Sequence, residues 1–324
     1  MKILWKPYSS PPLPEASGTR AAGGGQAGPG LAPDSVAQPQ PAAGAGPVDA
    51  HVHIFPPEVV RQREAYLGQD DWFGALYGSP QARMVTADEV VAQMDAAGVE
   101  MSVVFGFAFR DQGLCRMVND YVVESTKRHR GRLAGLACVS PGAPGAVNEL
   151  ERCLDAGLHG CGELMPDGQG FCAPSAGGHE GLAAIARCLE QRDLPLLVHA
   201  NEPVGHDYPG KGRFTPEDCF ALAQAHPELT IVFAHMGGGL FVYELMPEVR
   251  AALARVYYDT SAVPYLYGPD VYAVAVSCVG GGKLIFGSDY PLLSPGRYFE
   301  GLGGLAPGAR SATLGDNARR VFRL

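Results

Sequence analysis

The feature that most constrains the fold is an alternation of apolar, strand-like runs with helix-like periodic segments along residues 48–324. Such an alternation is typical of βα units arranged around a parallel sheet. Eight strands are predicted, at Val48–Phe55, Ser102–Phe107, Leu133–Val139, Cys161–Leu164, Leu194–His199, Thr230–His235, Val256–Asp259 and Leu284–Phe286. Eight such units over about 275 residues have the count and size of a (β/α)8 TIM barrel, an α/β fold.

Local signals predict where several helices begin and end. Thr86 followed by Glu89 predicts a capping box at a helix N-terminus. A longer helix is expected across residues 245–253, and a final one across 312–322. A doubly wound open sheet is the alternative fold, but no GxGxxG motif follows the first strand.

The first 46 residues differ in composition from the rest of the chain. Pro, Gly, Ala, Ser and Gln dominate there, and such a segment cannot build a packed core. The sequence therefore predicts two regions, a disordered leader over residues 1–46 and a barrel domain over residues 47–324.

Charge and cysteine usage exclude several classes of partner. The formal net charge is −9, and no block of Lys or Arg could neutralise successive phosphates, so nucleic acid is not expected to bind. No apolar stretch long enough for a membrane span or a signal peptide is found. The 8 cysteines form no CxxC pair and are expected to be reduced core residues of a cytoplasmic protein. A small-molecule substrate is the expected partner, and a homo-oligomer is left open.

Two histidines mark the first predicted strand. His51 and His53 stand at alternate positions in Val48–Phe55, and alternate side chains of a strand project to the same face. Two imidazoles side by side form a metal-chelating pair. Two core histidines bonded to backbone carbonyls are the alternative.

Polar residues recur where the predicted strands end, which decides between these alternatives. The carboxyl ends of barrel strands form the active face, so these side chains are expected to converge. They are His51, His53, Glu163, His199, His235, Asp259 and Asp289. Zinc binds this mixture of imidazole nitrogen and carboxylate oxygen, so a metal site is predicted at the mouth of the barrel.

Some of these residues have other readings. His235 could bond a loop carbonyl, and Asp289 could be a turn or N-cap residue. Glu163 could pair with Lys211 or Arg110 instead of contacting a metal. Asp259 is expected to form a turn rather than to act as a ligand.

The pattern resembles the amidohydrolase superfamily, in particular its amidohydrolase-related branch of metal-dependent hydrolases and non-oxidative decarboxylases. The resemblance covers about residues 48–324. It rests on Asp49–His53, His199, His235–Gly238, Gly287–Pro291 and Asn317-Ala318.

The resemblance implies a divalent metal, usually zinc, held by His51, His53, His199 and Asp289, with His235 as an acid/base or substrate-polarising residue. Many two-metal relatives use a carbamylated lysine at the end of strand four, where this chain has Glu163. One ion is favoured, and a second ion held through Glu163 is the alternative.

The leading functional hypothesis is metal-assisted hydrolysis of a C–N or C–O bond at a carbonyl centre. Asp289 would take a proton from a metal-activated water, and His235 would polarise the carbonyl or protonate the leaving group. The alternative is a decarboxylase acting on a small aromatic or enoic acid at the same site. A third hypothesis, a binding protein on a catalytically inactive barrel, does not explain the complete ligand set.

Substrate contacts are expected from the loops at the mouth. His206, Tyr208 and Lys211 lie in the loop after strand five, and Arg110 follows strand two. These residues could bind substrate or belong to solvated loops. Aromatic residues 72 and 77 of the first insertion could cover an apolar substrate or pack in the core.

Overall fold

The structure is a computed structural model that describes residues 46–171 and 180–324. The leader predicted over residues 1–46 lies outside the described residues up to residue 45. Cys172 and His179 also lie outside them.

Parallel strands form the centre of the fold. The eight strands are β1 Val48–His53, β2 Met101–Phe105, β3 Leu133–Gly135, β4 Cys161–Leu164, β5 Leu196–Val198, β6 Ile231–Phe233, β7 Val256–Asp259 and β8 Leu284–Ile285. They pair in the order β1-β2-β3 and β4-β5-β6-β7-β8, each pair parallel.

Two parallel bridges close these strands into a ring. Ala137 pairs with Cys161 between β3 and β4, and Val52 pairs with Tyr290 between β1 and the residues after β8. The backbone N–H of Ala50 also donates to the carbonyl of Phe286 at 2.9 Å. The predicted (β/α)8 barrel is therefore confirmed, and the alternative of an open sheet is wrong.

Helices follow most of the strands and cover the barrel. They are α1 Pro57–Arg61, α2 Arg63–Leu67, α3 Asp71–Tyr77, α4 Ala87–Ala97, α5 Gln112–Arg128, α6 Ala146–Asp155, α7 Pro166–Gln169, α8 Glu180–Arg192, α9 Pro216–Ala225, α10 Pro247–Ala252, α11 Val263–Leu266, α12 Val271–Val279, α13 Phe299–Gly303, α14 Pro307–Ser311 and α15 Asn317–Phe322. None of the described helices is both long enough and apolar enough to span a lipid bilayer.

The capping signal in the sequence predicted the start of α4. The backbone N–H of Thr86 donates to Glu89 at 2.8 Å, and the Thr86 side chain accepts from the backbone of Glu89, which completes the capping box. The helix ends at Gly98, whose φ of 69° is left-handed and suits glycine.

Two helix predictions differ from the structure. The helix expected across residues 245–253 is shortened to α10. The segment His235–Leu245 before it begins with left-handed backbone at residues 235–239 and is 3-10 helical only after them. Proline disfavours helical backbone in the residue before it, and Met246, which precedes Pro247, is extended. The helix expected across residues 312–322 begins as a π-helical turn at Ala312–Asp316 and continues as α15.

Side chains on both the inner and the outer face of the barrel strands are buried. All six residues of β1 are buried, and so are all residues of β3, β4, β5, β6 and β8. The seven described cysteines are free and buried, as expected for reduced core residues. Burial on both faces leaves the carboxyl ends of the strands as the place where polar side chains can converge.

Candidate metal centre

His51 and His53 project from β1 into the mouth of the barrel. Both side chains are buried, and the Phe105 ring lies edge-on to them, with centroid distances of 5.0 Å and 4.8 Å. Packing against the Phe105 ring restricts the orientation of both imidazoles. The alternation of the strand therefore produces the predicted histidine pair.

The turn after β8 brings Asp289 to the same two histidines. The backbone N–H of Asp289 donates to the carbonyl of His51 at 3.0 Å, and the φ of Asp289 is 61°. Aspartate tolerates this left-handed conformation better than most residues. The turn is anchored by Asp49, whose carboxylate accepts from the backbone N–H of Ser288 at 2.8 Å and from its hydroxyl at 2.5 Å.

Four donor atoms meet at this point. Nε2 of His51 lies 3.6 Å from Oε2 of Glu163 and 3.7 Å from Oδ1 of Asp289. Nε2 of His53 lies 3.6 Å and 3.4 Å from the same two oxygens. Ligands around a tetrahedral zinc ion, with bonds of about 2.1 Å, are about 3.4 Å apart. We call these four side chains the four-donor group.

Three donor atoms meet beside it. Oε1 of Glu163 lies 3.0 Å from Nδ1 of His199 and 3.6 Å from Nε2 of His235, and the two nitrogens are 3.0 Å apart. We call Glu163, His199 and His235 the three-donor group. Glu163 thus turns one oxygen toward each group. The alternative pairing of Glu163 with Lys211 or Arg110 is wrong.

Hydrogen bonds orient the rings of three of the histidines and indicate the protonated nitrogen of two of them, His51 and His235. Nδ1 of His51 faces the Asp259 carboxylate at 2.8 Å and must donate to it. Nε2 of His199 faces two oxygens, Oδ1 of Asn201 at 3.2 Å and the carbonyl of Gly210 at 3.1 Å, and its Nδ1 faces the Glu163 carboxylate at 3.0 Å. Nδ1 of His235 faces the carbonyl of Ser261 at 3.0 Å.

In the neutral rings of His51 and His235, the other nitrogen therefore carries a lone pair directed into the centre. Nε2 of His51 is buried without a hydrogen-bond partner, although it lies beside two carboxylates. Carboxylate oxygens and imidazole lone pairs have no proton to share, and a cation among them removes their repulsion. The residues present therefore fit a divalent metal ion.

The pKa shifts of His51 and His235 also indicate that the centre favours positive charge. Burial would lower the pKa of His51 and of His235, but neighbouring carboxylates outweigh it. Asp259 and Glu163 raise the pKa of His51 well above its ordinary value. Glu163 and Asp289 raise the pKa of His235 to about 9.

The two carboxyl groups are shifted in the opposite direction. Burial would raise the pKa of Glu163, but His51, His199 and His235 hold it well below its ordinary value. Burial would likewise raise the pKa of Asp289, but nearby histidines, His53 first, lower it to about 2. Both carboxylates are therefore charged near neutral pH and available as ligands.

Asp259 has a role beyond the turn predicted for it. Its Oδ1 accepts from the backbone N–H of Ser261 at 3.0 Å, which is the expected turn. Its Oδ2 contacts His51, which the sequence did not indicate. The position of Asp259 at the end of β7 was the sequence signal that could have indicated this contact, because the strand ends of this barrel face the site. Asn201 and Ser261 were missed because neither residue type suggests a histidine partner.

The predicted substrate-binding residues lie on the loops around the mouth, but three of them donate hydrogen bonds to other groups of the protein. Arg110 donates from Nε and Nη2 to the carbonyl of Gly168, at 3.2 Å and 3.0 Å. Nζ of Lys211 donates to three backbone carbonyls of its own loop, at residues 204, 205 and 206. Tyr208 donates to Glu202 at 2.9 Å. His206 is exposed, and its ring lies 5.7 Å from that of Tyr208.

The two aromatic residues of the first insertion are only partly buried. The Tyr77 ring lies 5.1 Å from Phe55 and 4.9 Å from Phe73, so it packs on the core. Asp289 and Glu163 contribute, after burial, to raising the pKa of Tyr77, which indicates that its hydroxyl is near the metal centre. Trp72 is partly buried and packs against the core, and its Nε1 is buried without a partner among the described residues.

Comparison with protein families identifies the chain. The profile described as amidohydrolase matches residues 48–324, which is most of the sequence and includes every residue of both donor groups. The chain belongs to the amidohydrolase family. The family resemblance expected from the sequence is therefore confirmed. No curated protein gives a significant match.

Solved structures similar to this amidohydrolase include several decarboxylases. The 5-carboxyvanillate decarboxylase of Sphingomonas paucimobilis has a TM-score of 0.68 at 18% identity, covering 86% of this chain and 99% of that one. A dihydroxybenzoic acid decarboxylase of Polaromonas with bound manganese has a TM-score of 0.65 at 18% identity, with coverages of 86% and 97%. The 2,6-dihydroxybenzoate decarboxylase of Rhizobium has a TM-score of 0.61 at 21% identity, with coverages of 86% and 98%. At these identities the likeness establishes the fold.

Proposed function

We propose that this amidohydrolase is a metal-dependent carbon–carbon lyase that removes CO2 from a small aromatic acid. The observation that carries the proposal is a four-donor group with His235 directly beside it. The reaction class is suggested by the structural neighbours, which are decarboxylases of aromatic acids. Hydrolysis, the leading hypothesis from the sequence, becomes the second candidate.

In this proposal His51, His53, Glu163 and Asp289 hold a divalent ion. When bound there, such an ion would supply positive charge that offsets the charge of the substrate carboxylate. We keep zinc as the proposed ion because imidazole and carboxylate donors suit it, and manganese is the alternative because a neighbour contains it. Metal analysis of purified protein distinguishes the two.

His235 is the proposed proton donor. Its Nδ1 is fixed by the carbonyl of Ser261, so its Nε2 is directed at the centre. Because neighbouring carboxylates raise the pKa of His235 to about 9, the ring is an imidazolium near neutral pH and Nε2 also carries a proton. The bond between the ring carbon and the carboxylate carbon breaks, and its electron pair stays on the ring carbon. That carbon takes the proton from Nε2 while CO2 leaves. Proton transfer by a positioned side chain typically contributes about 10²- to 10⁴-fold to a rate.

Hydrolysis remains the second candidate because donor groups lie on both sides of Glu163. Paired metal sites of this kind activate water in many hydrolases. Asp289 would then take the proton of the water, and His235 would polarise the carbonyl. The free, buried state of the described cysteines agrees with a cytoplasmic location, which we also propose.

A product screen in ¹⁸O-labelled water tests the proposal. The zinc- or manganese-loaded protein is incubated with hydroxylated and methoxylated benzoic acids, and separately with amides and lactones. Release of CO2 without ¹⁸O in the organic product supports the lyase. Incorporation of ¹⁸O into the product of an amide or lactone supports the hydrolase. Metal binding without any product would favour the third hypothesis, a binding protein.

The Asp289→Asn variant adds a control within the site. We expect it to lose turnover while it retains most of its metal, because the amide oxygen of asparagine still offers a donor atom at this position but carries no negative charge and cannot take a proton. Asp270→Asn, at an exposed aspartate before α12, is the matched control and should be fully active. An unchanged rate in Asp289→Asn would contradict the role given to Asp289.

A further inference from the structure

Glu202 is a carboxylate at the rim of the metal centre. It follows Asn201, the residue that accepts from His199. A Cβ added at Gly238 would lie 2.2 Å from the carbonyl oxygen of Asn201 and 3.2 Å from the backbone nitrogen of Glu202. The backbone of Glu202 is therefore pressed against the glycine turn that follows His235. Glu202 lies between the loops that carry the two histidines of the three-donor group.

Two tyrosines converge on this carboxylate from different loops. The hydroxyl of Tyr208 donates to Oε2 of Glu202 and the hydroxyl of Tyr267 donates to Oε1, both at 2.9 Å. All three side chains are partly buried. We call them the acceptor clamp, because both hydroxyl protons are directed inward at Glu202. The oxygen lone pairs left over can only accept hydrogen bonds.

The carboxylate of the clamp has no cationic partner in the described part of the chain. Lys211 is the nearest lysine along the loop, and it donates to three backbone carbonyls instead. Two neutral hydroxyls leave this partly buried carboxylate with lone pairs that can accept further hydrogen bonds. A ligand that brings a hydrogen-bond donor would use these lone pairs.

The acceptor clamp is close to the proposed reaction centre. Gly210, two residues after Tyr208, accepts from Nε2 of His199 at 3.1 Å. Burial raises the pKa of Tyr208, and Glu202 and Asp289 add to the shift, so its hydroxyl stays protonated as a donor to Glu202. The loop that carries Tyr208 therefore contacts the three-donor group through Gly210.

We propose that the acceptor clamp binds a hydroxyl or amino substituent of an aromatic acid whose carboxylate is held at the metal centre. The inference rests on the proposed function and names its substrate class, an acid with a hydrogen-bond donor on the ring. A methoxy or nitro group at the same position offers no proton and leaves the carboxylate unpaired. Sites built on such polar contacts reject analogues that lack the donor more strongly than apolar pockets do.

Binding measurements on the full-length, metal-loaded protein test the clamp. Isothermal titration compares benzoate with the 3- and 4-hydroxy, amino and methoxy benzoates. We expect at least one hydroxy or amino isomer to bind about tenfold more tightly than its methoxy counterpart, as for a hydrogen bond to a charged group. Equal affinities across every such pair would overturn the inference.

Variants of Glu202 distinguish recognition of the ligand from a purely structural role in holding the two loops together. In Glu202→Gln we expect the affinity ratio between hydroxy or amino benzoates and their methoxy counterparts to fall below about threefold. The affinity for benzoate itself should stay within about twofold of the wild-type value. Glu217→Gln, at an exposed glutamate of α9, is the matched control and should keep the wild-type preference. A clamp that only ties two loops together would change the affinity for benzoate and its donor-bearing analogues alike, which would overturn the inference.

Tyr267→Phe provides a second, milder variant if Glu202→Gln does not fold. It removes one hydroxyl and keeps the ring, so we expect a smaller loss of the preference for benzoates that donate a hydrogen bond. A preference equal to that of the wild type would count against the clamp. Failure of the proposed function is visible separately, as absence of CO2 from every acid, whichever isomers bind.

Discussion

Nδ1 of His51 lies 2.8 Å from Oδ2 of Asp259, and both side chains are fully buried. The other oxygen of Asp259 accepts from the backbone N–H of His235 at 3.1 Å and from the hydroxyl of Ser261 at 2.5 Å. One carboxylate therefore contacts a histidine of the four-donor group and a histidine of the three-donor group. A group that hydrogen-bonds to a metal-binding histidine away from the metal fixes the tautomer and the orientation of that histidine.

Replacing Asp259 with asparagine should weaken metal binding without unfolding the protein. The side-chain oxygen can still accept from the backbone, which turns the amide N–H2 toward His51. Nδ1 of His51 must then accept, and the proton moves to Nε2, where the ligand lone pair is needed. We expect metal affinity to fall by about 10- to 100-fold.

Competition with a chromophoric chelator measures this affinity, and circular dichroism checks the fold. Asp270→Asn serves as the control because it makes the same chemical change at an exposed position. Metal affinity equal to that of the wild type in Asp259→Asn would refute this role.

The two donor groups should bind metal with unequal affinity. The four-donor group offers two imidazoles and two carboxylates, whereas the three-donor group shares Glu163 and adds only His199 and His235. We expect one tightly held ion per chain after dialysis and a second, weaker equivalent in excess metal. This agrees with the single ion favoured by the sequence and gives Glu163 a ligand role.

His199→Ala distinguishes the two groups. It should abolish the weak equivalent and leave the tight one, whereas His53→Ala should remove the tight one. Equilibrium dialysis with metal analysis counts both. Loss of the tight ion in His199→Ala would instead favour the ligand set His51, His53, His199 and Asp289 implied by the family resemblance.

A buried ion pair outside the site should matter for stability. Nζ of Lys283 donates to both oxygens of Glu244, at 2.9 Å and 2.7 Å, and Glu244 is 1% exposed. Among the described residues, Lys283→Met leaves the buried carboxylate of Glu244 with only the hydroxyl of Tyr258 as a partner. We expect a loss of about 3 kcal/mol in the free energy of unfolding, measured by urea denaturation.

Lys127→Met is the control for this loss because Lys127 is exposed on α5, and it should change stability by less than about 0.5 kcal/mol. Similar stabilities of the two variants would mean that water or another group compensates Glu244.

Glu149 should make stability depend on pH. Burial would raise its pKa, but hydrogen bonds from Arg152 and Asn119 lower it below the ordinary value of 4.5. A carboxyl whose folded pKa is lowered contributes stability above its ordinary pKa, and the contribution disappears as pH falls through the folded pKa. Glu149→Gln should therefore cost about 2 kcal/mol near neutral pH, and less as the pH drops below 4.5.

Urea denaturation of the wild type and Glu149→Gln at a series of pH values measures this difference. Glu124→Gln, on the exposed face of α5, should differ little from the wild type at any pH. A wild-type advantage over Glu149→Gln that stays constant down to acidic pH would contradict the linkage.

The sequence predicted those parts of the fold that depend on local chemistry. Alternation in β1 predicted that His51 and His53 share a face, and the rule of strand ends pointed to Glu163 and Asp289. These predictions succeed because strand periodicity and barrel geometry fix the direction of each side chain before any distant contact forms.

Other relationships depend on contacts between distant segments and could not be predicted. The division of the ligands around Glu163 depends on how the side chain lies between β1 and β5. The contact of Asp259 with His51 joins residues 208 positions apart. The partnership of Glu202 with Tyr267 likewise depends on two loops meeting above the barrel.

The glycine turn after His235 has a consequence for efforts to redesign the enzyme. The backbone from His235 to Gly239 is left-handed at five consecutive residues, and Gly238 has no room for a side chain beside Asn201. Random mutagenesis of this turn, although it borders the site, should yield mostly insoluble clones. Libraries that aim at new substrates should leave it untouched and vary exposed loop positions such as Val204, which is 75% exposed.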